Sequence, residues 1–411
     1  MDLSKSCQRI QKDIEALARF TSTPGEGCTR LPFTPQARQA ADYLRAAMQD
    51  AGLRAREDAA GNVFGVLPGQ SPDRPCVMSG SHFDTVFNGG AFDGPAGVIC
   101  ALELARILRD EGRTLPMDYV VSAFMDEEGC RFGTGYFGSR SMLGQMTADE
   151  CKNFADRDDI TVYDAMKSYR LTPEKLPEAA WKPGSIGHFI ELHIEQGPVL
   201  VSQNVDIGLV DCIVGIKRFM VSVFGQANHA GTTPMNMRHD PMEMAGRVIA
   251  KIGDTACAAG GGTVATVGFI KAEPGGMNVI ASRVDFTLDI RAVDPQVLAS
   301  VAGQIEQMLR EETARCGGSY HMEPKLDVAP LQMSGELLAR FEASCRAHGY
   351  SCLHMPSGAG HDALAIGRVY DTAMLFVPSR DGKSHCPEEW TGYSYFAKAV
   401  QVLYDVITEL A

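Results

Sequence analysis

The sequence predicts an α/β chain of two domains, with a β-α-β-β-α-β segment inserted into a larger, mostly parallel sheet domain. Three observations predict it. Short apolar runs ending near Met78, Met125, Ile194 and Val377 read as buried strands, each followed by a polar, glycine-rich or acidic loop. From about Ile213 the pattern changes to strands grouped around two helices. After Gln332 the earlier α/β pattern resumes. At 411 residues the chain exceeds the usual size of one hydrophobic core. The expected division is residues 1–212 with 330–411 as one domain, and 213–329 as the other.

In chain order, residues 4–20 and 35–52 read as helices. In the second, Ala40, Ala41, Leu44, Ala47 and Met48 follow the 3.6-residue period. Residues 21–34, rich in Gly, Pro and Thr, read as a loop. A strand near 62–66 precedes the strand that ends at Val77–Met78. The loop of residues 80–97 then holds His82, Asp84 and Asp93 among five glycines, and a helix is expected over 98–108. A strand over 117–125 ends in Asp126, Glu127, Glu128 and Gly129. Residues 145–185 are polar and irregular, which suggests an excursion over the surface. The strand over 187–194 runs into Glu195 and Gln196.

The inserted segment reads as strand 217–224, helix 241–258, strands 263–271 and 284–291, helix 295–315 and strand 319–326. That order is ferredoxin-like. Helix 336–348, strand 372–377 and helix 393–410 complete the chain.

Composition narrows the function. With 45% hydrophobic and 22% charged residues, this is an ordinary soluble globular composition. A formal net charge of −13 argues against nucleic acid or acidic membranes as partners, so an anionic substrate needs a local Arg or Lys. The first 15 residues lack the apolar core of a secretory signal. No run of about 18 apolar residues occurs. The cytoplasm is the expected location. Twelve cysteines without CxxC spacing read as reduced thiols.

The chemistry concentrates at the strand ends, which carry His82, Asp84 and Asp93, then Glu127 and Glu128, then His193 and Glu195, and finally His385. In a parallel sheet these ends lie on one edge and can face one cleft. Taken alone, the first loop also fits an ordinary βα turn whose Asp residues cap a helix. Taken together, imidazoles and carboxylates without clustered thiolates suit catalytic zinc, manganese or cobalt. His82, His193 and His385 with Asp93 and Glu128 make five ligands. With one carboxylate bridging, they would hold two metals about 3.5–4 Å apart. Glu127 is the natural base, provided the loop turns so that it and Glu128 both face inward.

These residues stand in motifs: Gly80-Ser-His82-Phe-Asp84-Thr-Val, Asn88-Gly-Gly-Ala-Phe-Asp93-Gly-Pro, Glu127-Glu128-Gly-Cys-Arg-Phe and Glu191-Leu-His193-Ile-Glu-Gln196-Gly-Pro. Further on come Asn228-His229-Ala-Gly-Thr-Thr-Pro-Met, Asn278-Val-Ile, Ser357-Gly-Ala-Gly360-His-Asp-Ala and Ser384-His385. In this order they resemble the zinc-dependent amidohydrolases that include N-carbamoyl-L-amino-acid hydrolases, allantoate amidohydrolases and β-ureidopropionases, relatives of aminoacylases and dinuclear carboxypeptidases.

The resemblance implies a dinuclear-metal exopeptidase-like catalytic domain with an inserted lid and dimerisation domain. It makes His82, Asp93 and His193 ligands of one divalent ion. Asp93 bridges to a second ion, also held by Glu128 and His385, with zinc first and manganese, cobalt or nickel as alternatives. Asp84 would orient His82, and Glu127 would be general base and then acid. His229 would donate to the developing oxyanion, across a homodimer or on domain closure. Gln196, Asn278, Arg291 and the backbone at Gly360 would contact a ureido-carboxylate substrate. Alternation places Arg291 on the polar face with Asp285, Thr287 and Asp289, where a guanidinium could clamp a carboxylate. His188, His239, His321, His348 and His354 read as surface or structural, and His361 and Asp362 as loop structure. Cys130, Cys386 and Ala281 depart from the family pattern without removing a ligand or the base. The implied reaction is hydrolysis of the carbamoyl C–N bond of an N-carbamoyl-L-α-amino acid, with allantoate or a β-ureido acid as alternatives. Two other classes stay open: a silent binding protein of the same fold, and an amidase using Cys130 or Cys386 as nucleophile.

Overall fold

Four parallel strands at the centre of one sheet account for the apolar runs. In this computed structural model, which describes residues 1–410, the chain separates into unit 1 (Met1–Asp211 and Met333–Ala411) and unit 2 (Cys212–Gln332). The central strands of unit 1 are, in spatial order, Tyr119–Phe124, Cys76–His82, Ile186–Ile194 and Asp371–Val377. Neighbouring pairs are parallel. Every residue of the first two is buried, as expected of a sheet covered on both faces. Helix Pro95–Asp110 lies across three of these strands and packs on Leu3–Ala18 and Tyr393–Glu409. Antiparallel strands flank the centre, with Val63–Leu67 and Arg54–Glu57 on one side and Ile207–Ile213 on the other.

The register decides where the chemistry goes. His82 lies opposite Phe124, and Val377 opposite Ile194, so the central strands end together at one edge. The strand expected to stop near Met78 runs on to His82, which makes this imidazole part of the sheet. Residues 145–185 also differ from expectation. They contain helix Val162–Ser168 and two short 3-10 turns, with Cys151, Met166 and Leu176 fully buried. Their anchors are too widely spaced to produce a periodic signal.

In unit 2 the strands run Ser319–Val328, Gly215–Phe224, Arg283–Ala292 and then Ile270–Glu273, all antiparallel. Helices Pro241–Ala259 and Pro295–Cys316 pack together and against this sheet, which is the ferredoxin-like order. Each helix begins with a capping Asp, Asp240 or Asp294, followed by Pro, the preferred start signal. The strand expected over 263–271 is broken into Val264–Thr266 and Ile270–Glu273, both on Arg283–Ala292. Burial alternates along Arg283–Ala292, with Val284, Phe286, Leu288 and Ile290 in the core of the unit. Among the described residues, no helix is long and apolar enough to cross a membrane.

Candidate metal centre

The shared edge of the sheet gathers the side chains. His82 Nε2 and His193 Nε2 lie 3.5 and 3.2 Å from Asp93 Oδ1. His385 Nε2 lies 3.2 Å from the other oxygen of Asp93 and 3.5 Å from Glu128 Oε1. Asp93 thus turns one oxygen to each of two groups, His82–Asp93–His193 and Asp93–Glu128–His385. Within each group the potential ligand atoms lie within 4.8 Å of one another. A third group, His82–Glu127–Glu128, overlaps them. Gly94 has φ +78°, and a Cβ there would sit 2.3 Å from the His82 ring, so only glycine lets the loop close over this imidazole.

The residues present fit divalent cations. His82 Nδ1 is 3.1 Å from the Asp84 carbonyl and His193 Nδ1 is 2.9 Å from the Ile194 carbonyl. A proton on each Nδ1 leaves an Nε2 lone pair facing Asp93, the tautomer that a ligand needs. The surroundings are rich in buried acid. Burial, reinforced by Glu128, Asp362 and Asp84 and opposed by His82, holds the Glu127 carboxyl well above its ordinary range. Burial and the charge of Asp93 push Glu128 up to about 7. The hydrogen bond to Asp93 raises His385 to about 9. Burial opposes ionisation of Asp93, but the imidazoles of His193, His385 and His82 around it hold it well below the usual carboxylate range. So many buried carboxylates call for nearby positive charge, and divalent cations supply it while drawing these groups back to the ionised form.

The turn required of the Glu127–Glu128 loop is present. Asp126 has φ +59°, a left-handed residue that breaks strand alternation and turns both glutamates toward the cluster. Asp84 divides its groups differently from expectation. Its backbone oxygen takes His82 Nδ1, while its carboxylate, 3.5 Å from that nitrogen, accepts from the backbone N–H of Glu127 at 3.1 Å and of Glu128 at 3.4 Å. It therefore ties the ligand strand to the base loop.

Several further residues support the cluster, and two of them, Glu389 and Asn62, stand in no motif. Glu389 is buried and accepts from the backbone N–H of Phe92 and Asp93 at 2.9 and 3.1 Å. The Ser384 hydroxyl lies 2.8 Å from an oxygen of Asp93 and 2.8 Å from one of Glu389 and can donate to either. His361 and Asp362, read as loop, are buried directly at the site: the His361 ring meets that of His193 at 4.5 Å, and neither Asp362 oxygen accepts a hydrogen bond. Asn62, fully buried, accepts from Met125 N–H and donates to the Gly138 carbonyl and to Asp58, at 2.9–3.0 Å. The stretch it clasps, from Met125 to Gly138, carries both glutamates. Asn62→Ala orphans these buried groups and should cost about 2–4 kcal/mol of stability, with turnover falling about tenfold as Glu127 loses its placement. Urea denaturation and steady-state kinetics check both, and wild-type values in both would remove the clasp from the account.

The residues expected to meet substrate are distributed as follows. Gln196, at φ +58°, donates to the outer oxygen of Asp93 at 2.6 Å. Gly360 closes against Tyr136, whose hydroxyl a Cβ would strike at 1.8 Å. In unit 2, His229 and Asn278 come together. His229 pairs with Val279 in a two-residue ribbon, and the Asn278 carbonyl accepts from Ala230. Nδ1 of His229 accepts from the backbone N–H of Gly231 and Thr232 at 3.0 and 3.2 Å, so its proton sits on Nε2, on an exposed ring. Arg291 shares its face with Asp289, to which it donates at 2.9 Å. It lies eight residues from Arg283 on one strand, about 26 Å at ~3.3 Å per residue, and the His229 ribbon adjoins the Arg283 end. One copy thus presents Arg291 and the His229–Asn278 pair at opposite ends of a strand.

A parallel-centred α/β sheet with this cluster at its carboxyl edge defines a hydrolase that uses divalent metal. The chain belongs to peptidase family M20/M25/M40, which it matches over residues 78–409. It is 39% identical over 411 residues to an N-carbamoyl-L-amino-acid amidohydrolase of Paenarthrobacter aurescens, covering all of both chains. An allantoate amidohydrolase of Escherichia coli is 35% identical, with 98% of each chain covered. A hydantoinase/carbamoylase family amidase of Burkholderia multivorans, solved by crystallography, superimposes with a TM-score of 0.91 at 29% identity, covering 98% of this chain and 97% of the other.

Proposed function

We propose that this enzyme hydrolyses the carbamoyl C–N bond of N-carbamoyl-L-α-amino acids, giving the amino acid, carbon dioxide and ammonia. The observation that carries the reading is Asp93 turning one oxygen toward each of two His-carboxylate groups, with Glu127 beside them. Two divalent ions, zinc foremost, would be held by His82, Asp93 and His193 and by Asp93, Glu128 and His385. When bound they would lower the pKa of a water and polarise the carbonyl oxygen. Glu127 takes the water's proton and passes it to the leaving nitrogen. His229, its Nε2–H exposed, donates to the developing oxyanion. Arg291 takes the substrate carboxylate, while Gln196, Asn278 and the Gly360 backbone position the ureido group. The working form is a cytoplasmic homodimer. Phe269 and Ile270, exposed at the edge of the unit 2 sheet, support that assembly.

Allantoate is the alternative substrate. It is also a ureido-bearing carboxylate, and the relative of that name supports it. Ammonia release measured across N-carbamoyl-L-amino acids, N-carbamoyl-β-alanine and allantoate decides between them, with the first group expected to give the highest kcat/KM. Chelation with EDTA should abolish release and zinc, manganese or cobalt should restore it, while iodoacetamide should leave it intact. The opposite pattern would return the cysteine nucleophile to consideration. Cys130 is exposed, but partial desolvation and the charges of Glu128, Asp84, Asp126 and Glu127 push its thiol up to about 12, which counts against Cys130 in that role; Cys386 is decided by the iodoacetamide arm.

A further inference from the structure

We propose that Arg218 is a second arm of the clamp for the substrate carboxylate, coupled to Arg291 through Asp289. The inference rests on the reading of Arg291 as that clamp and adds a further residue that touches the substrate. All three residues belong to unit 2 and lie on the polar face of its sheet. Arg218 stands directly opposite Asp289 across strands Gly215–Phe224 and Arg283–Ala292. Arg291 follows Asp289 by two residues, so the three side chains share one face. The other face of Arg283–Ala292 sends Val284, Phe286, Leu288 and Ile290 into the core.

Asp289 joins the two guanidinium groups. Its Oδ1 accepts from Nε of Arg291 at 2.9 Å. Its Oδ2 accepts from Nη2 of Arg291 at 3.3 Å and from Nε of Arg218 at 2.7 Å. The Nε–Nη2 edge of Arg291 could grip a carboxylate with two parallel bonds, but Asp289 already occupies it. Arg218 spends only its Nε on Asp289. Its side chain is 48% exposed and makes no other hydrogen bond or ion pair among the described residues. Nη1 and Nη2 of Arg218 are therefore open to an incoming anion.

The local charge fits the same reading. Two guanidinium groups share one carboxylate, a surplus of one positive charge in a chain of net charge −13. The residues paired beside them, Thr266 next to Asp289 and Leu326 next to Arg218, bring no charge. Glu323, farther along the neighbouring strand, pairs with Lys325 at 2.6 Å. A carboxylate held by both arginines would complete a neutral set of two cations and two anions. Asp289 is then the positioning residue that sets the spacing of the two arms. An exposed Arg–Asp pair contributes little to stability, so loss of Arg218 should be felt in substrate binding rather than in folding.

Steady-state kinetics of the metal-loaded full chain test this with N-carbamoyl-L-leucine as substrate and its uncharged analogue, N-carbamoyl-L-leucinamide, as competitive inhibitor. Arg218→Ala should raise KM for the acid about tenfold while kcat stays within about twofold. Arg218→Lys keeps the charge and should recover part of that loss. The Ki of the amide should stay within about twofold of wild type in both variants, because it offers the clamp no carboxylate. Equal losses for acid and amide would assign Arg218 to sheet structure and overturn the proposal. An unchanged KM in Arg218→Ala beside a raised KM in Arg291→Ala would overturn the second arm and leave the clamp standing. An unchanged KM in both, or no ammonia released from the acid by the wild type, would overturn the underlying reading and the second arm with it.

Discussion

Glu127→Gln should lower turnover by about 10²–10⁴-fold, the usual contribution of a positioned acid–base group, while leaving bound metal at the wild-type level. The substitution is nearly isosteric, so the buried loop keeps its shape, and the amide cannot take a proton. Metal content matters because the structure offers Glu127 a second role. Its carboxylate lies 3.9 Å from His82 Nε2, and it forms a potential ligand group with His82 and Glu128. A ligand and a base respond differently. Loss of a ligand lowers metal occupancy, and added zinc or manganese then recovers activity; loss of the base leaves occupancy intact, and no metal concentration helps. Metal analysis beside kcat therefore separates them. Near-normal kcat in the fully loaded variant would rule Glu127 out as the base.

The fold was legible because its elements announce themselves locally. Buried strands read as apolar runs, and Asp-Pro starts and glycine stops bracket the long helices of unit 2. The gathering of His82, Asp93, Glu127, His193 and His385 was legible too, since parallel strands send their carboxyl ends to one edge. What could not be read were partners defined only by tertiary approach. Glu389 meets the Phe92–Asp93 backbone across 297 residues, and its neighbours Cys386, Pro387 and Trp390 suggest nothing of this. Asn62 left a faint signal, the Asp58-Ala-Ala-Gly-Asn62 turn, but a turn does not say what its side chains clasp. Asp84 shows a third kind of limit. Sequence identifies a carboxylate near His82, but only coordinates show the backbone oxygen taking the imidazole while the carboxylate holds the base loop.

A mixture of His229→Ala and Arg291→Ala chains should be more active than either parent. Removing an oxyanion donor costs about 10²–10³-fold, and removing a charge-assisted carboxylate clamp about 10²-fold in kcat/KM. In the proposed homodimer, each variant alone is therefore nearly silent. The two side chains stand at opposite ends of a strand about 26 Å long, too far apart to grip one small ureido acid from a single copy. If one copy supplies Arg291 and its partner supplies His229, a mixed dimer holds one fully intact site and one doubly damaged site. Random reassociation makes about half of all dimers mixed, so the mixture should reach about one quarter of wild-type activity in a closed two-fold dimer. If the two residues are not shared in this way, every site in every dimer carries one lesion, and mixing recovers nothing. Refolding or co-expressing the two variants, with ammonia release measured before and after exchange, distinguishes these outcomes directly. No recovery from a confirmed mixed dimer would remove the shared site, and with it the joint use of His229 and Arg291 on one substrate.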